Sequence, residues 1–209
     1  MSERIIETSE DVEEGAEALA ALCPRMAEAR GLVGPLPLRR KPEGFAELLS
    51  AIVSQQVSVA SASAIWGRME TAGLVTPEAV AAADEDALRA VGLSRQKMRY
   101  ARALAEAGID FRSLRAMPSD AVVNRLVEVP GIGTWTAEIY AMFSLGRADV
   151  FAHGDLALQE AARVLYGLPE RPRERQMREM AQAWRPWRSV AARILWAYYR
   201  VETQREGIR

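Results

Sequence analysis

Start and stop signals for helices recur along the whole chain, and they constrain the fold more than any other feature. Thr76-Pro77 places an N-cap residue before a proline at the first helical position. Ser94 and Gly108 bracket a further segment as its N-cap and its closing glycine. Apolar residues in 45–53 recur at helical spacing, whereas only 149–152 reads as extended. We therefore predict an all-α fold of roughly ten helices.

The counts of cysteine and histidine exclude several classes of site. Among 209 residues there is one cysteine, Cys23, and one histidine, His153. A disulfide framework, an iron–sulfur cluster on four cysteines and a zinc site on several imidazoles are therefore excluded. No apolar run approaches a membrane span, and 1–11 is not a signal peptide. We expect an intracellular protein that requires no cofactor, with His153 structural because it has no evident partner.

Charge is distributed unevenly along a chain whose net charge is −1. Residues 1–22 carry seven acidic groups against one arginine, whereas residues 163–209 carry eleven arginines against five glutamates. Such polarisation allows a phosphate-binding face on a nearly neutral protein. A solvated arginine-rich surface is the alternative that charge alone favours.

Segment 126–137 is the most informative part of the chain. It ends a short helix, turns at Pro130-Gly131-Ile132-Gly133 and begins another helix near Thr134. The two glycines allow positive φ and a close backbone approach, and Ile132 is expected to point inward. Amides of the turn and of the new helix then form a phosphate site without a basic side chain. The alternative is an ordinary connection between two helices.

Asp155 lies twenty residues beyond Trp135 and directly precedes an amphipathic helix. Its simplest role is the N-cap, where the helix dipole and nearby amides stabilise an anion. The same placement suits cleavage of a glycosidic bond, because the transition state is cationic at the sugar. A fixed carboxylate stabilises that charge and can orient or deprotonate the attacking water. Cap and catalyst are compatible roles.

In this chain a hairpin is followed, after about twenty residues, by an aspartate that directly precedes a helix. This arrangement resembles that of the helix-hairpin-helix (HhH-GPD) DNA glycosylase superfamily. The chain resembles its 3-methyladenine DNA glycosylase II (AlkA) group in 51–60, in 133–137 and in the tryptophan-rich 184–196. The resemblance covers about 41–200 and suggests a compact form without the N-terminal β-domain of longer relatives. It implies one domain over 1–209 with two helical lobes, 1–40 with 150–209 and 41–149, and an active-site cleft between them.

The resemblance also implies how the hairpin and the reacting group work. The resemblance implies that the hairpin contacts DNA through Pro130, Gly131, Ile132, Gly133 and Thr134. In the family, three hairpin carbonyls often hold a monovalent cation that bridges to a phosphate, and by position these are the carbonyls of Val127, Val129 and Ile132, holding Na⁺ or K⁺.

Trp135 separates two chemistries within the superfamily. Bifunctional relatives carry a lysine at this position, which attacks the sugar and forms a Schiff base. Tryptophan cannot do so, and Lys41 and Lys97, the two lysines of the chain, lie outside the motif. The prediction is therefore a monofunctional glycosylase in which Asp155 directs hydrolysis by water, without lyase activity.

Trp135, Trp196 and Tyr140 are the candidate walls of a base pocket. The first two occupy matching family positions, and Tyr140 adjoins Ile139, which stands where longer relatives have an aromatic residue. Electron-rich rings attract cations, and N3- or N7-alkylated purines are cationic and leave readily. The predicted substrates are alkylated purines, 3-methyladenine above all, although a core role remains the alternative for each tryptophan.

Gln56 is the candidate wedge that fills the gap left when a nucleotide flips out of the duplex. Longer relatives place a leucine at this position of the shared segment. The helical pattern weakens here and Ser58 can cap a new helix, so Gln56 is expected on an exposed junction. The alternatives are Gln55 as the wedge and a solvated loop residue without a role.

The predicted partner is double-stranded DNA with damaged bases, bound by a monomer in the cytoplasm, or at the nucleoid in a bacterium. Two alternatives stay open. One is a glycosylase for another lesion, since pocket shape cannot be read from the sequence. The other is a non-catalytic helix-hairpin-helix DNA-binding protein, which would need neither Asp155 nor an aromatic pocket.

Overall fold

The computed structural model describes residues 3–205, without the side chain of Arg205, and its secondary structure is almost entirely helical. The prediction of an all-α fold is confirmed. None of the described helices is long and apolar enough to cross a membrane. The α-helices are α1 Ser9–Leu22, α2 Pro24–Leu32, α3 Phe45–Ser54, α4 Val59–Thr71, α5 Pro77–Ala82, α6 Glu85–Ala90, α7 Arg95–Glu106, α8 Ser119–Val127, α9 Thr134–Phe143, α10 Leu156–Tyr166, α11 Glu174–Met180 and α12 Arg188–Arg205, and 3₁₀ turns lie at Ser113–Arg115 and Ala181–Trp184.

Capping side chains begin α5 and α7 where the sequence predicted them. The Thr76 hydroxyl accepts the backbone N–H of Ala79 at 3.2 Å, and the Ser94 hydroxyl accepts that of Lys97 at 3.3 Å. Gly108 follows α7 with a φ of 58°. These signals act over three or four residues, which is why spacing alone located the helices.

The segment predicted as extended, 149–152, lies between α9 and α10, and no β-bridge is formed by these residues. The β-bridge among the described residues instead pairs Arg147 with Ile5 in antiparallel fashion. The Asp149 carboxylate accepts a hydrogen bond from Nε of Arg188 at 2.6 Å. Side-chain contacts rather than strand pairing therefore hold this segment.

Backbone contacts divide the chain into two compact units. Unit 2 is Lys41–Ala137, and unit 1 comprises the described residues up to Arg40 and from Glu138 onward. The sequence placed the second boundary near 150, whereas in the structure it falls within α9. Segment 138–149 belongs to unit 1, and the bridge between Arg147 and Ile5 ties it to the N-terminal residues.

In unit 2, α3 packs against α4 and α7, and α5 and α6 also pack against α7. The apolar residues that gave α3 its helical spacing form the centre of this core. All of them are buried: Phe45, Leu48, Leu49, Ile52 and Val53.

In unit 1, α12 packs against α1, α2 and α10. The approach of α1 requires a glycine, because a Cβ on Gly15 would lie 2.6 Å from the Trp187 ring and 2.7 Å from Val190. Trp184 and Trp187 are buried in this unit. The core of unit 1 therefore fixes α12, which also carries Trp196.

Candidate functional site

The hairpin lies in unit 2, between the end of α8 at Val127 and the start of α9 at Thr134. Ile132 is 4% exposed and donates its backbone N–H to the carbonyl of Val129 at 3.0 Å. The prediction that Ile132 points inward is confirmed. Its burial and this hydrogen bond anchor the turn.

The two hairpin glycines have different roles. Gly131 has a φ of 95°, and a Cβ there would lie 2.4 Å from Cγ of Tyr100. Gly133 does not have positive φ, and nothing lies within 4 Å of a Cβ built on it. The expectation of positive φ at both glycines is therefore wrong for Gly133. The close approach at Gly131 is to Tyr100 of the same unit.

The start of α9 differs from most helix starts in unit 2. The Gly133 carbonyl accepts the N–H of Ala137 at 3.0 Å, but glycine has no side chain that could cap the first-turn amides. With open space around Gly133, the amide end of α9 is accessible to an anionic group such as a phosphate. Side-chain oxygens cap α4, α5, α6 and α7, from Ser58, Thr76, Asp84 and Ser94 respectively.

Gln55 and Gln56 lie between α3 and α4 in different environments. Gln55 donates from Nε2 to the carbonyl of Gly131 at 2.8 Å, which ties the junction to the hairpin. Gln56 is exposed with a φ of 55°, a conformation that residues other than glycine rarely adopt. The exposed junction predicted for Gln56 is confirmed, as is capping by Ser58. Gln55 is therefore bonded within unit 2, and the wedge role of either residue stays a prediction.

Asp155 lies in unit 1 and caps α10 as predicted. Its Oδ1 accepts the backbone N–H groups of Ala157 and Leu158, each at 3.0 Å. The side chain is half-buried, and the preceding residues Phe151 and Ala152 are buried. The carboxylate therefore has a fixed direction at a partly accessible helix start.

Trp196 is brought to Asp155 by α12. Its indole N–H donates to Oδ1 of Asp155 at 3.2 Å, a contact that the sequence did not predict. The Trp196 ring lies 5.9 Å from that of Phe143, and the Arg193 guanidinium lies 4.7 Å from the Phe143 ring centroid. Burial first, and then the charges of Arg39 and Arg40, lower the pKa of Arg193 to about 10. Arg193 is therefore still a cation at neutral pH and can support this stack.

The other two predicted pocket residues lie in different units. Trp135, in unit 2, is 48% exposed, whereas Tyr140, in unit 1, is 3% exposed. A tryptophan that packs in a core is rarely this exposed, so the exposure of Trp135 near the start of α9 argues against a core role. The stacking role of both residues stays a prediction, and the covered ring of Tyr140 favours it less.

The cation predicted at the hairpin would use backbone oxygens. The Val129 carbonyl accepts one hydrogen bond within the turn, and a carbonyl oxygen has a second lone pair for a metal ion. Within residues 3–205 no group of three or more His, Cys, Asp and Glu side chains could hold a metal ion.

Comparison with known proteins identifies the family. Residues 49–187 match the HhH-GPD superfamily base excision DNA repair proteins. The chain belongs to this superfamily. Among its relatives is DNA-3-methyladenine glycosylase 1 of Schizosaccharomyces pombe, 30% identical over 181 residues that make up 82% of this chain and 79% of the relative.

Two solved structures of the superfamily are similar over most of the chain. One is DNA-3-methyladenine glycosidase from Bacillus halodurans, with a TM-score of 0.84 and 34% identity, covering 98% of this chain and 95% of that one. The other is Schizosaccharomyces pombe 3-methyladenine DNA glycosylase (Mag1) in complex with abasic DNA. Its TM-score is 0.73 at 30% identity, covering 88% of this chain and 95% of Mag1. The superfamily and the AlkA-like group recognised from the sequence are confirmed.

The two hairpin glycines give a paired test of this geometry. Gly131→Ala should lower the free energy of unfolding by about 1–3 kcal/mol, because it adds a clash with Tyr100 at positive φ. Gly133→Ala should lower that free energy by less, since its surroundings are open and only the modest preference for glycine over alanine at an N-cap is lost. Urea unfolding of the two variants measures both. Equal destabilisation by the two changes would contradict the hairpin conformation.

Proposed function

We propose that this chain is a monofunctional DNA glycosylase that removes cationic alkylpurines, 3-methyladenine above all, during base excision repair. Membership of the superfamily and relatives named 3-methyladenine glycosylases support an enzyme that acts on alkylated bases. The observation that carries the catalytic part is the Asp155 carboxylate, which is held by two amides and an indole at the start of α10.

The proposed reaction is hydrolysis of the N-glycosidic bond. As the base leaves, positive charge develops at the sugar, and the fixed anion of Asp155 stabilises it. The same carboxylate orients water or takes its proton as the water adds to the sugar carbon. The bond between sugar and base breaks, and the base leaves with the electron pair of that bond.

The choice of substrate rests on the leaving group and on the aromatic faces. An N3- or N7-alkylated purine is already cationic, so that it leaves with less assistance than a neutral base. Trp135 and Trp196 supply faces that attract such a cation. Because the base leaves readily, a catalyst whose main task is to hold an anion near the sugar is sufficient.

DNA binding is assigned to the hairpin residues 130–134 and to the first amides of α9. Open space at Gly133 allows a phosphate to approach those amides. The carbonyls of Val127, Val129 and Ile132 would hold a monovalent cation that supplies positive charge to the same phosphate. This assignment explains how a chain of net charge −1 binds a polyanion.

The absence of lyase activity is proposed from the environments of the lysines. Nζ of Lys97 donates to the Val53 carbonyl at 2.5 Å, and burial lowers the pKa of this amine. Lys41 forms an ion pair with Glu47 at 2.6 Å. Since Trp135 occupies the family's lysine position and both lysines are engaged elsewhere, neither lysine is assigned attack on the sugar.

Asp155→Asn tests the catalytic carboxylate. It should abolish base release while leaving binding to abasic-analogue DNA largely intact, because the amide keeps much of the cap but removes the charge. Single-turnover release of 3-methyladenine and an equilibrium binding assay measure the two effects. Asp84→Asn, at the N-cap of α6, is the matched control and should retain activity. Near-normal turnover by Asp155→Asn would remove Asp155 from the mechanism.

Trp196→Phe tests the indole donor. The change keeps an aromatic ring but removes the N–H that Asp155 accepts, so base release should slow by about tenfold, the effect of losing ~1.5 kcal/mol from a hydrogen bond to a charged group. Trp66→Phe on α4 is the control and should keep the full rate. Equal rates for the two variants would exclude a role for this hydrogen bond.

Borohydride trapping tests the subclass. With no amine at position 135, reduction during turnover should yield no covalent adduct between protein and DNA. A bifunctional glycosylase serves as the positive control. A trapped adduct that disappears in Lys97→Met or Lys41→Met would overturn the monofunctional assignment.

Gln56→Ala tests the wedge. It should weaken binding to an abasic analogue and slow excision by roughly tenfold, the effect of losing ~1–2 kcal/mol of stabilisation of the flipped state. Binding to undamaged duplex should barely change, because it depends on phosphate contacts. If excision were unchanged, the wedge would have to be a neighbouring residue such as Gln55.

A further inference from the structure

A buried polar pair includes His153, two residues before Asp155, and the proposed chemistry does not use it. Glu138 of α9 and His153 are 4% and 5% exposed, and Nδ1 of His153 lies 3.1 Å from Oε1 of Glu138. This is the partner that the sequence did not reveal for His153, since the two residues are fifteen positions apart in different elements. The pair, Asp155 and Trp196 all belong to unit 1.

The same network continues into α10 through Gln159, which is 7% exposed. Its Nε2 donates to the carbonyl of His153 at 3.0 Å, and its backbone N–H donates to the carbonyl of Asp155 at 3.0 Å. His153 is therefore held at its ring by α9 and at its carbonyl by α10. The main chain from His153 to Asp155 is fixed from both sides.

A pair of this kind is costly to bury, which makes its location informative. Taking a carboxylate and an imidazole out of water costs free energy that their hydrogen bond repays only in part. Arg178 approaches the same Glu138 oxygen at 3.7 Å and also pairs with Glu174 at 2.8 Å. Packing alone would be served by apolar side chains, as it is at the neighbouring Phe151.

The hydrogen bond between Glu138 and His153 restricts the position of the loop between α9 and α10. Nε2 of His153 has no hydrogen-bond partner among the described residues, so the bond from Nδ1 to Glu138 sets the orientation of the ring. The Phe151 ring packs edge-on against His153 at 5.2 Å. A shifted loop would leave a buried donor or acceptor unsatisfied, and this opposes small displacements that apolar packing would tolerate.

We propose that Glu138, His153 and Gln159 are positioning residues that set the place of the Asp155 carboxylate, an inference that rests on the proposed function. His153 is two residues from Asp155, and Gln159 bonds to both. A displacement of about 1 Å in a reacting group lowers a rate by roughly a hundredfold. The three residues act through Asp155 and are not themselves assigned contact with DNA.

The test compares rate with affinity. Glu138→Ala removes the acceptor of His153 and should lower the single-turnover rate of base release by about 10–100-fold. Affinity for abasic-analogue DNA should change by less than about twofold. Glu138→Gln keeps an acceptor oxygen and should retain most of the rate. Gln159→Leu breaks the network on its other side and should behave as Glu138→Ala does.

Val12→Ala controls for general destabilisation, because it truncates a buried side chain of α1 in the same unit that takes no part in the hydrogen bonds around His153 and Asp155. At a temperature where all variants are folded, it should keep the wild-type rate. A wild-type rate in Glu138→Ala, or an equal slowing in Val12→Ala, would overturn the positioning role. So would a loss of affinity as large as the loss of rate.

Heteronuclear NMR supplies a readout that does not depend on catalysis. The Trp196 indole N–H, bonded to Asp155, should shift in Glu138→Ala and in Gln159→Leu, but not in Glu138→Gln or Val12→Ala. An unmoved resonance in Glu138→Ala would contradict the proposal. If the wild-type chain released no alkylated base, the proposed function would fail instead, and this resonance would still decide whether the network positions Asp155.

Discussion

Two backbone amides and one indole N–H converge on a single carboxylate oxygen of Asp155. The amides belong to the first turn of α10, and the indole reaches the same oxygen from α12. Three donors on one oxygen fix the direction of the carboxylate. In the proposed mechanism the rest of the protein has to bring a cationic sugar to this anion and hold it there. The hairpin, the wedge and the aromatic faces are assigned those tasks.

The parts of the site that the sequence predicted depend on contacts between near neighbours. Ile132 turns inward because the hairpin closes on itself within three residues, and Asp155 caps α10 through amides two and three residues ahead. Ser58 begins α4 in the same way. Such features follow from spacing and residue type, so that one sequence suffices to locate them.

The parts that could not be predicted join residues far apart in the chain. Trp196 bonds to Asp155 across 41 positions, and Gln55 bonds to Gly131 across 76. Helical periodicity shows that such residues face inward, but it does not name their partners. The different roles of the two hairpin glycines could not be predicted for the same reason. The residue that leaves no space for a side chain at Gly131 is Tyr100 on α7.

The central claim is that a held anion acts on a sugar whose base is already cationic, and substrate preference tests it most directly. The measurement is the single-turnover rate of base release from duplex DNA that contains either 3-methyladenine or 8-oxoguanine, under the same conditions. The account predicts faster release of 3-methyladenine, because its positive charge suits both the aromatic faces and the modest assistance that one carboxylate gives. Faster release of 8-oxoguanine would contradict it.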